Sequence, residues 1–428
     1  MRLAALALVA ACGGQTGTIK VSLATAPSSH VLDTVATLRM TLTNPPEVVE
    51  ATRGPNGFDL AIDLPAQGIA GALIIEALDD GGTLIACGQS PQFPISAISS
   101  AITVYMAAPR SIAAAPVELE MARSQLAATA VSFGVAIAGG RDGTGALTDS
   151  FAVYSAYSHT LGKLPALPEA RSGLAIGTGV GNAVLMFGGT GPTGAPASTL
   201  WRFTMPSEAA PGSFTLVADD ASVARTGQTM LSVGTEQFLI SGAPPLALSQ
   251  GVLTARTDVA MLPTSGAATT VGDTPTAAFD GSDLVLFKTD QFATLGVGRP
   301  GASISALPGG RFLVAGGGEP LTRDALLIDG GTGMITTLTN ALVTPRRQPS
   351  ITATARHVVI AGGTDGGGAP VATAEVLDAA TLAPIVTQPI AARTGMIAVP
   401  LATDQVLLVG GDPASTLIEL FTPEPPPH

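Results

Sequence analysis

Five times this chain writes an apolar run that stops on a pair of glycines: VAIAGGR (135–141), VLMFGGT (184–190), FLVAGGG (312–318), VVIAGGT (358–364) and VLLVGGD (406–412). A run of aliphatic residues without polar alternation describes a strand covered on both faces. Glycine then lets the backbone turn through positive φ and approach a neighbour closely, because it has no Cβ. Gly139-Gly140, Gly188-Gly189, Gly316-Gly317, Gly362-Gly363 and Gly410-Gly411 are therefore expected as structural turns, not as loops that do chemistry.

The phrase is the middle of a longer unit. An arginine opens each one: Arg123-Ser-Gln, Arg171-Ser-Gly, Arg225-Thr-Gly, Arg299-Pro-Gly, Arg347-Gln-Pro and Arg393-Thr-Gly. An apolar strand follows, then a turn, the strand that ends in Gly-Gly, a polar loop and a third strand such as SFAVYSA, TAEVLDA or TLIELFT. The period is about 50 residues, with about four strands per unit, which is the spacing of propeller blades. With 51 Gly and 33 Pro among 428 residues, long helices have no place to form. The expected fold class is all-β, and the length implies more than one domain.

In these features the chain resembles the kelch-repeat β-propellers over residues 116–424. The resemblance rests on the glycine doublet, the Arg-x-Gly start and the third strand. It departs from the family in its aromatics, since only Tyr154 keeps the third-strand tyrosine and the sole Trp, Trp201, lies in a third strand. The interval from Arg225 to Arg299 is half again as long as the others. It holds QFLISGA (237–243), where Ser241-Gly242 replaces Gly-Gly, and a stunted unit at 276–298. Seven blades are expected, and six with a long insertion is the alternative. The last unit lacks a fourth strand, and a segment ahead of Arg123 is expected to complete it and close the ring; PVELEMA (116–122) reads as an unassigned strand there.

Residues 18–108 carry no glycine doublet. Short alternating runs there (TIKVSLA, ATLRMTLT, FDLAIDL, GALIIEALD, TLIACG, ITVYMAA) are separated by turn-formers such as NPPE, RGPNG and DDGG. They suggest a β-sandwich resembling immunoglobulin-like modules in architecture, joined by a linker at 109–115. Ahead of it, Arg2 and the apolar run Leu3–Ala11 form a targeting signal too short to span a bilayer, which needs about 20 residues. Val9-Ala10-Ala11-Cys12 resembles the bacterial lipobox, which implies cleavage after residue 11, acylation of Cys12 and a tether at 12–17. Gly13 after the cysteine points to outer-membrane sorting by the rule for such lipoproteins. A plain signal peptide with Cys12 incidental is the other reading. With Cys12 acylated, Cys87 has no disulfide partner and is expected as a small buried hydrophobe. Residues 425–428 remain as a tail.

A chain with 20 basic and 32 acidic residues, net charge −12, has no electrostatic footprint for nucleic acid. Gly189-Thr-Gly191-Pro-Thr-Gly194 matches a dinucleotide fingerprint in letters only, since prolines and a strand follow where a helix is required. Copper-dependent galactose-oxidase propellers need a Tyr–Cys cross-link, two histidines and a second tyrosine; residues 116–424 hold Tyr154 and Tyr157 but no cysteine. The loops GGRDGTG (139–145) and GGTDGGG (362–368) carry too few carboxylates for Ca²⁺. No cofactor and no metal are expected. In kelch propellers that bind acidic peptides, arginines at the repeat start line the channel. By that resemblance Arg171, Arg225, Arg299, Arg347 and Arg393 are candidate ligand-binding residues; the alternative is that each caps backbone carbonyls between blades and is structural. The expected function is a monomeric, lipid-anchored binding or scaffolding module for an envelope protein or glycan. A carbohydrate-active enzyme and a purely structural component are the competing readings.

Overall fold

The structure, a computed structural model, describes residues 16–44, 46–54, 58, 61–65, 70–94, 101–206, 211–233, 237–268 and 276–426. The expected signal segment and Cys12 lie outside the described residues. Apart from two single 3₁₀ turns, at Val180–Asn182 and Ala221–Val223, the regular structure described is strand.

From residue 111 onward the chain forms seven antiparallel four-stranded sheets. Sheet 1 is Ala127–Val131, Gly134–Ala138, Phe151–Ser155 and Leu161–Lys163. Sheet 2 is Ala175–Thr178, Val184–Phe187, Thr199–Thr204 and Ser213–Asp219; sheet 3 is Met230–Ser232, Gln237–Ile240, Leu246–Ser249 and Val252–Ala255. Sheet 4 is Ser265–Ala268, Thr276–Phe279, Asp283–Lys288 and Gln291–Gly296; sheet 5 is Ala302–Leu307, Arg311–Gly316, Ala325–Asp329 and Ile335–Leu338. Sheet 6 is Ser350–Ala353, His357–Ala361, Thr373–Asp378 and Pro384–Pro389. Sheet 7 takes Ile397–Pro400, Val406–Val409 and Glu419–Thr422 from the end of the region and Ser111–Ala114 from its start. The first strand of each sheet lies beside that of the next, and the first strand of sheet 7 lies beside that of sheet 1. This cyclic arrangement is compatible with a β-propeller. The long interval after Arg225 contains two four-stranded sheets, 3 and 4.

The core follows from that geometry. Each pair of neighbouring sheets encloses its own apolar cluster, so every second strand is buried from both sides. Gly134–Ala138, Val184–Phe187, Thr276–Phe279, His357–Ala361 and Val406–Val409 are buried along their whole length. Phe151 of sheet 1 meets Phe203 of sheet 2 edge-on at 4.9 Å, and Phe203 leans on Phe214 at 4.8 Å. Burying one such ring contributes about 1.5–3 kcal/mol. The absence of polar alternation in the second strands is thus a direct consequence of their position.

The closing strand is not where the sequence placed it. Residues 116–122 form no strand, and Ser111–Ala114, inside the stretch expected as a linker, pairs antiparallel with Glu419–Thr422. The residues after it stay on the same partner segment through Ala115 N–H to Ile418 O (2.8 Å) and Leu119 N–H to Thr416 O (2.8 Å). A short Ser-Ile-Ala-Ala run has too little pattern to announce itself. Its partner strand supplies the order.

Residues 16–105 build a four-stranded sheet (Pro46–Thr52, Thr37–Thr43, Leu73–Leu78, Leu84–Gln89) and a three-stranded one (Ala61–Pro65, Thr16–Ala24, Ala101–Tyr105). Val21, Ile102 and Val104 of the second pack with Met40, Leu42 and Ile75 of the first in one core. Pro46–Thr52 is a strand where NPPE suggested only a turn.

The doublets turn as expected. At Gly139 φ is 59°, and a Cβ there would lie 2.4 Å from the Arg171 carbonyl oxygen. Gly143, in the following loop, has nothing within 4 Å of the same position. Gly139→Ala is expected to lower the unfolding free energy by at least about 2 kcal/mol, and Gly143→Ala by less than about 0.5 kcal/mol. Urea denaturation of the two variants checks this, and equal midpoints contradict it.

Candidate functional site

The repeat arginines fold back onto their own sheets. Arg123 Nη1 donates to the carbonyls of Gly139 (3.2 Å) and Ser150 (3.3 Å). Arg171 Nη1 does the same to Gly188 (3.2 Å) and Thr199 (3.3 Å), while its Nη2 meets Glu169 Oε2 at 2.8 Å. Arg393 donates to Leu417 O (3.0 Å) and pairs with Glu419 Oε2 at 2.6 Å. The guanidiniums of Arg123 and Arg171 thereby join the turn after the second strand to the start of the third, and that of Arg393 holds the start of the third strand. The arginine's own carbonyl completes a link to the sheet before it: Gly140 N–H reaches Arg171 O (2.9 Å), Gly189 N–H reaches Arg225 O (2.9 Å) and Gly317 N–H reaches Arg346 O (2.8 Å). Arginine and glycine doublet are two halves of one staple.

Arg171 and Arg393 are 2% exposed and Arg299 9%. Arg299 Nη1 donates to Asp324 O at 2.7 Å. Arg225, half-buried, donates to Ser241 O (2.9 Å) and Pro244 O (2.8 Å). Burial pushes all of these guanidiniums below their ordinary range, the desolvation cost that the carbonyls and carboxylates offset. The converging cationic ring expected from the resemblance is therefore not what these side chains build.

Arg347 needs a second correction. The residue that occupies the frame of sheet 6 is its neighbour Arg346, fully buried, donating to Gly362 O (3.1 Å) and Thr373 O (2.8 Å) and paired with Glu375 Oε1 at 2.6 Å. Arg347 is half-buried and lies 3.6 Å from Glu319. Counting back from the doublet finds the right residue, because Arg123 and Arg346 stand 16 positions and Arg171 stands 17 before the first glycine, whereas Arg347 stands closer. Sheet 4 has no such arginine. There Gly242 N–H takes Leu262 O (2.8 Å), and Arg256 holds the outside of the junction through Asp258 (2.7 Å), Asp290 (2.8 Å) and the faces of Phe287 and Phe292.

A cavity of about 1640 Å³ is lined by the first strands of sheets 1, 5, 6 and 7 and by their turns into the second strands. Its wall is mostly uncharged, with Ala128, Thr129, Ser305, Thr352 and Ala398 typical. Lys288, Asp329, Arg356 and Asp404 supply its charge, and Gln89 reaches it from the N-terminal sheets. Asp142 and Asp365, from the two polar loops, are spent on turns: Asp142 Oδ1 accepts from Thr144 and Ala146 N–H, and Asp365 Oδ1 from Gly367 and Ala369 N–H. Gly191 and Gly194 likewise close a backbone turn, Gly194 N–H to Gly191 O at 3.0 Å.

Two buried groups fasten the N-terminal sheets to the ring. His159 Nε2 accepts from Tyr105 N–H (3.3 Å), which leaves Nδ1 to donate to Tyr154 Oη (2.6 Å). Burial pushes this imidazole from 6.5 down to about 4. The unfolded chain takes up a proton that the fold refuses, so His159 removes stability as pH falls from 6.5 toward 4. Cys87 Sγ donates to Pro423 O at 3.2 Å, and burial, with Glu424 and Glu76 nearby, pushes the thiol up to about 12. It is inert packing, not a nucleophile.

Comparison with protein-family models and with curated proteins gives no match.

Proposed function

We propose that this chain is a lipid-anchored protein of the bacterial cell envelope, outer membrane favoured, in which a seven-bladed kelch-like propeller is a non-enzymatic binding or scaffolding module for a protein or glycan. An Ig-like sandwich sets that module off from the lipid on Cys12. The observation that carries this reading is the use of the recurrent charge. Arg171, Arg346 and Arg393 are consumed by carbonyls and by Glu169, Glu375 and Glu419 inside the fold, and the cavity wall is left with mostly uncharged residues beside the four charged ones Lys288, Asp329, Arg356 and Asp404. Four-stranded sheets joined by outer loops then offer surface rather than chemistry, as propellers of many functions do.

Lipidation is tested by feeding cells an alkyne-tagged palmitate. The full chain is expected to take up label and sediment with membranes, while Cys12→Ser takes up none. Equal labelling of both removes the anchor from the account. Binding is tested with the chain from Thr18 onward titrated onto isolated envelopes, untreated or protease-treated. Saturable retention is expected, and protease treatment separates a protein partner from a glycan. Retention that never saturates on either preparation contradicts the binding reading and leaves the structural one.

A further inference from the structure

The segment that follows the last strand runs beside the cavity. Pro423 O accepts from Cys87 Sγ (3.2 Å), Glu424 O accepts from Arg356 Nη2 (2.8 Å), Glu424 Oε1 accepts from Arg110 Nη2 (3.1 Å), and Pro426 lines the cavity itself. Glu424 Oε2 lies 3.2 Å from His357 Nε2. We propose that Pro423–Pro426 is a strap beside the cavity and that His357, seated between Glu424 of the strap and Asp404 of the cavity wall, tightens it on acidification. This inference is independent of the reading of lipid anchor and partner.

The geometry around His357 is that of a site one proton short. The side chain is 2% exposed. A neutral imidazole has a single N–H. Donated from Nε2 to Glu424, it leaves Nδ1 as a bare acceptor 3.6 Å from Asp404 Oδ2, and both Nδ1 and Asp404 Oδ1 are without a hydrogen-bond partner. Asp404 Oδ2 already accepts from Arg356 Nε (2.7 Å), so the unmet cost falls on the buried Nδ1 acceptor. A second proton converts Nδ1 into a donor aimed at the carboxylate.

The surrounding charge agrees. Asp404 faces His357 from the turn between the first two strands of sheet 7, Glu424 from the strap, and Asp378 from the paired third strand of sheet 6. Arg356 pairs with Asp404 (2.7 Å) and Arg110 with Glu424 (3.1 Å), and Phe421 closes the ring edge-on at 5.3 Å. The Asp378 carboxylate is spent on the Ala380 and Thr381 N–H groups (3.0 and 2.7 Å) with Arg311 beside it on the carbonyls of Ala379 and Ala380, so Asp404 and Glu424 are the carboxylates that an imidazolium meets. Burial pushes the Asp404 and Glu424 carboxyls up, yet the neighbouring cations and donors hold both below the ordinary range. Both carboxylates therefore stay ionised above the ordinary carboxylate range. Glu424 faces the imidazole only when the strap is seated, so proton uptake favours the seated state.

Cys87 reports on the strap, because its thiol is covered by Pro423. With Cys12→Ser in every protein, Cys87 is the one remaining thiol of the chain's 2 cysteines. Its rate of labelling by a dipyridyl disulfide, divided by the rate in the unfolded chain at the same pH, gives protection. Protection is expected to rise about fivefold or more from pH 8.0 to 5.5. His159 pulls global stability the other way, so general unfolding does not imitate this result. His357→Gln is expected to abolish the pH dependence. Glu424→Gln is expected to expose Cys87 at both pH values with little change between them. Protection independent of pH in the parent chain, or an undiminished rise in His357→Gln or Glu424→Gln, overturns the proposal.

Discussion

Arg346→Ala lowers the free energy of unfolding by about 3–5 kcal/mol, whereas Arg347→Ala changes it by less than about 0.5 kcal/mol. The two residues are adjacent and chemically identical, so position alone separates them. Arg346 is fully buried and its partner Glu375 is 2% exposed. Removing the guanidinium leaves Glu375 as an uncompensated buried charge, with only the Val343 and Thr344 N–H groups (2.7 and 2.9 Å) to hold it. It also strands the carbonyl of Gly362 and leaves that of Thr373 with the Gly362 N–H (3.2 Å) in place of the guanidinium. Arg347 and Glu319 are 35% and 72% exposed across 3.6 Å, and solvent-screened pairs of this kind contribute little. Urea denaturation followed by tryptophan fluorescence at Trp201 measures both. Equal losses from the two variants contradict the staple.

Proline at both Ile112 and Ala113 is expected to remove about 2–4 kcal/mol and to make the protein associate. In an antiparallel ladder, adjacent residues point their N–H groups to opposite sides. One of these two therefore donates toward Glu419–Thr422 whichever way the strand faces, and proline deletes that donor. The strand Glu419–Thr422 then becomes a free edge carrying Leu420 and Phe421, both buried in the intact ring. Unprotected edges recruit other chains. Denaturation midpoints give the stability and light scattering gives the association; a monomer of unchanged stability contradicts closure by Ser111–Ala114.

The parts of this fold legible in the sequence were those whose physics is local. A glycine doublet after an aliphatic run reports a sharp turn beside crowded backbone, and Gly139 with a carbonyl 2.4 Å from its missing Cβ shows why no other residue serves there. The arginines were visible as a repeat, but their direction was not. A side chain that donates to carbonyls of its own sheet looks in sequence the same as one that faces a channel. Arg347 heads the repeat in the letters of the sequence, while Arg346 stands at the distance from the glycine that sets the frame. Glu375 and Glu419, the carboxylates that meet Arg346 and Arg393, lie inside third strands where a polar residue reads as solvent-facing. The closing strand and the strap were illegible for another reason. Ser111–Ala114 acquires its conformation from a partner at the other end of the ring, and Cys87 meets Pro423 across 336 residues.

A double-mutant cycle on Arg346 and Glu375, run in parallel with one on Arg347 and Glu319, tests most directly whether the repeat arginines are internal staples. A coupling of about 2–3 kcal/mol for the first pair and less than about 0.5 kcal/mol for the second is predicted. Weak coupling in both, or strong coupling at Arg347 alone, would mean that the arginines do not hold the ring together and are free to meet a ligand.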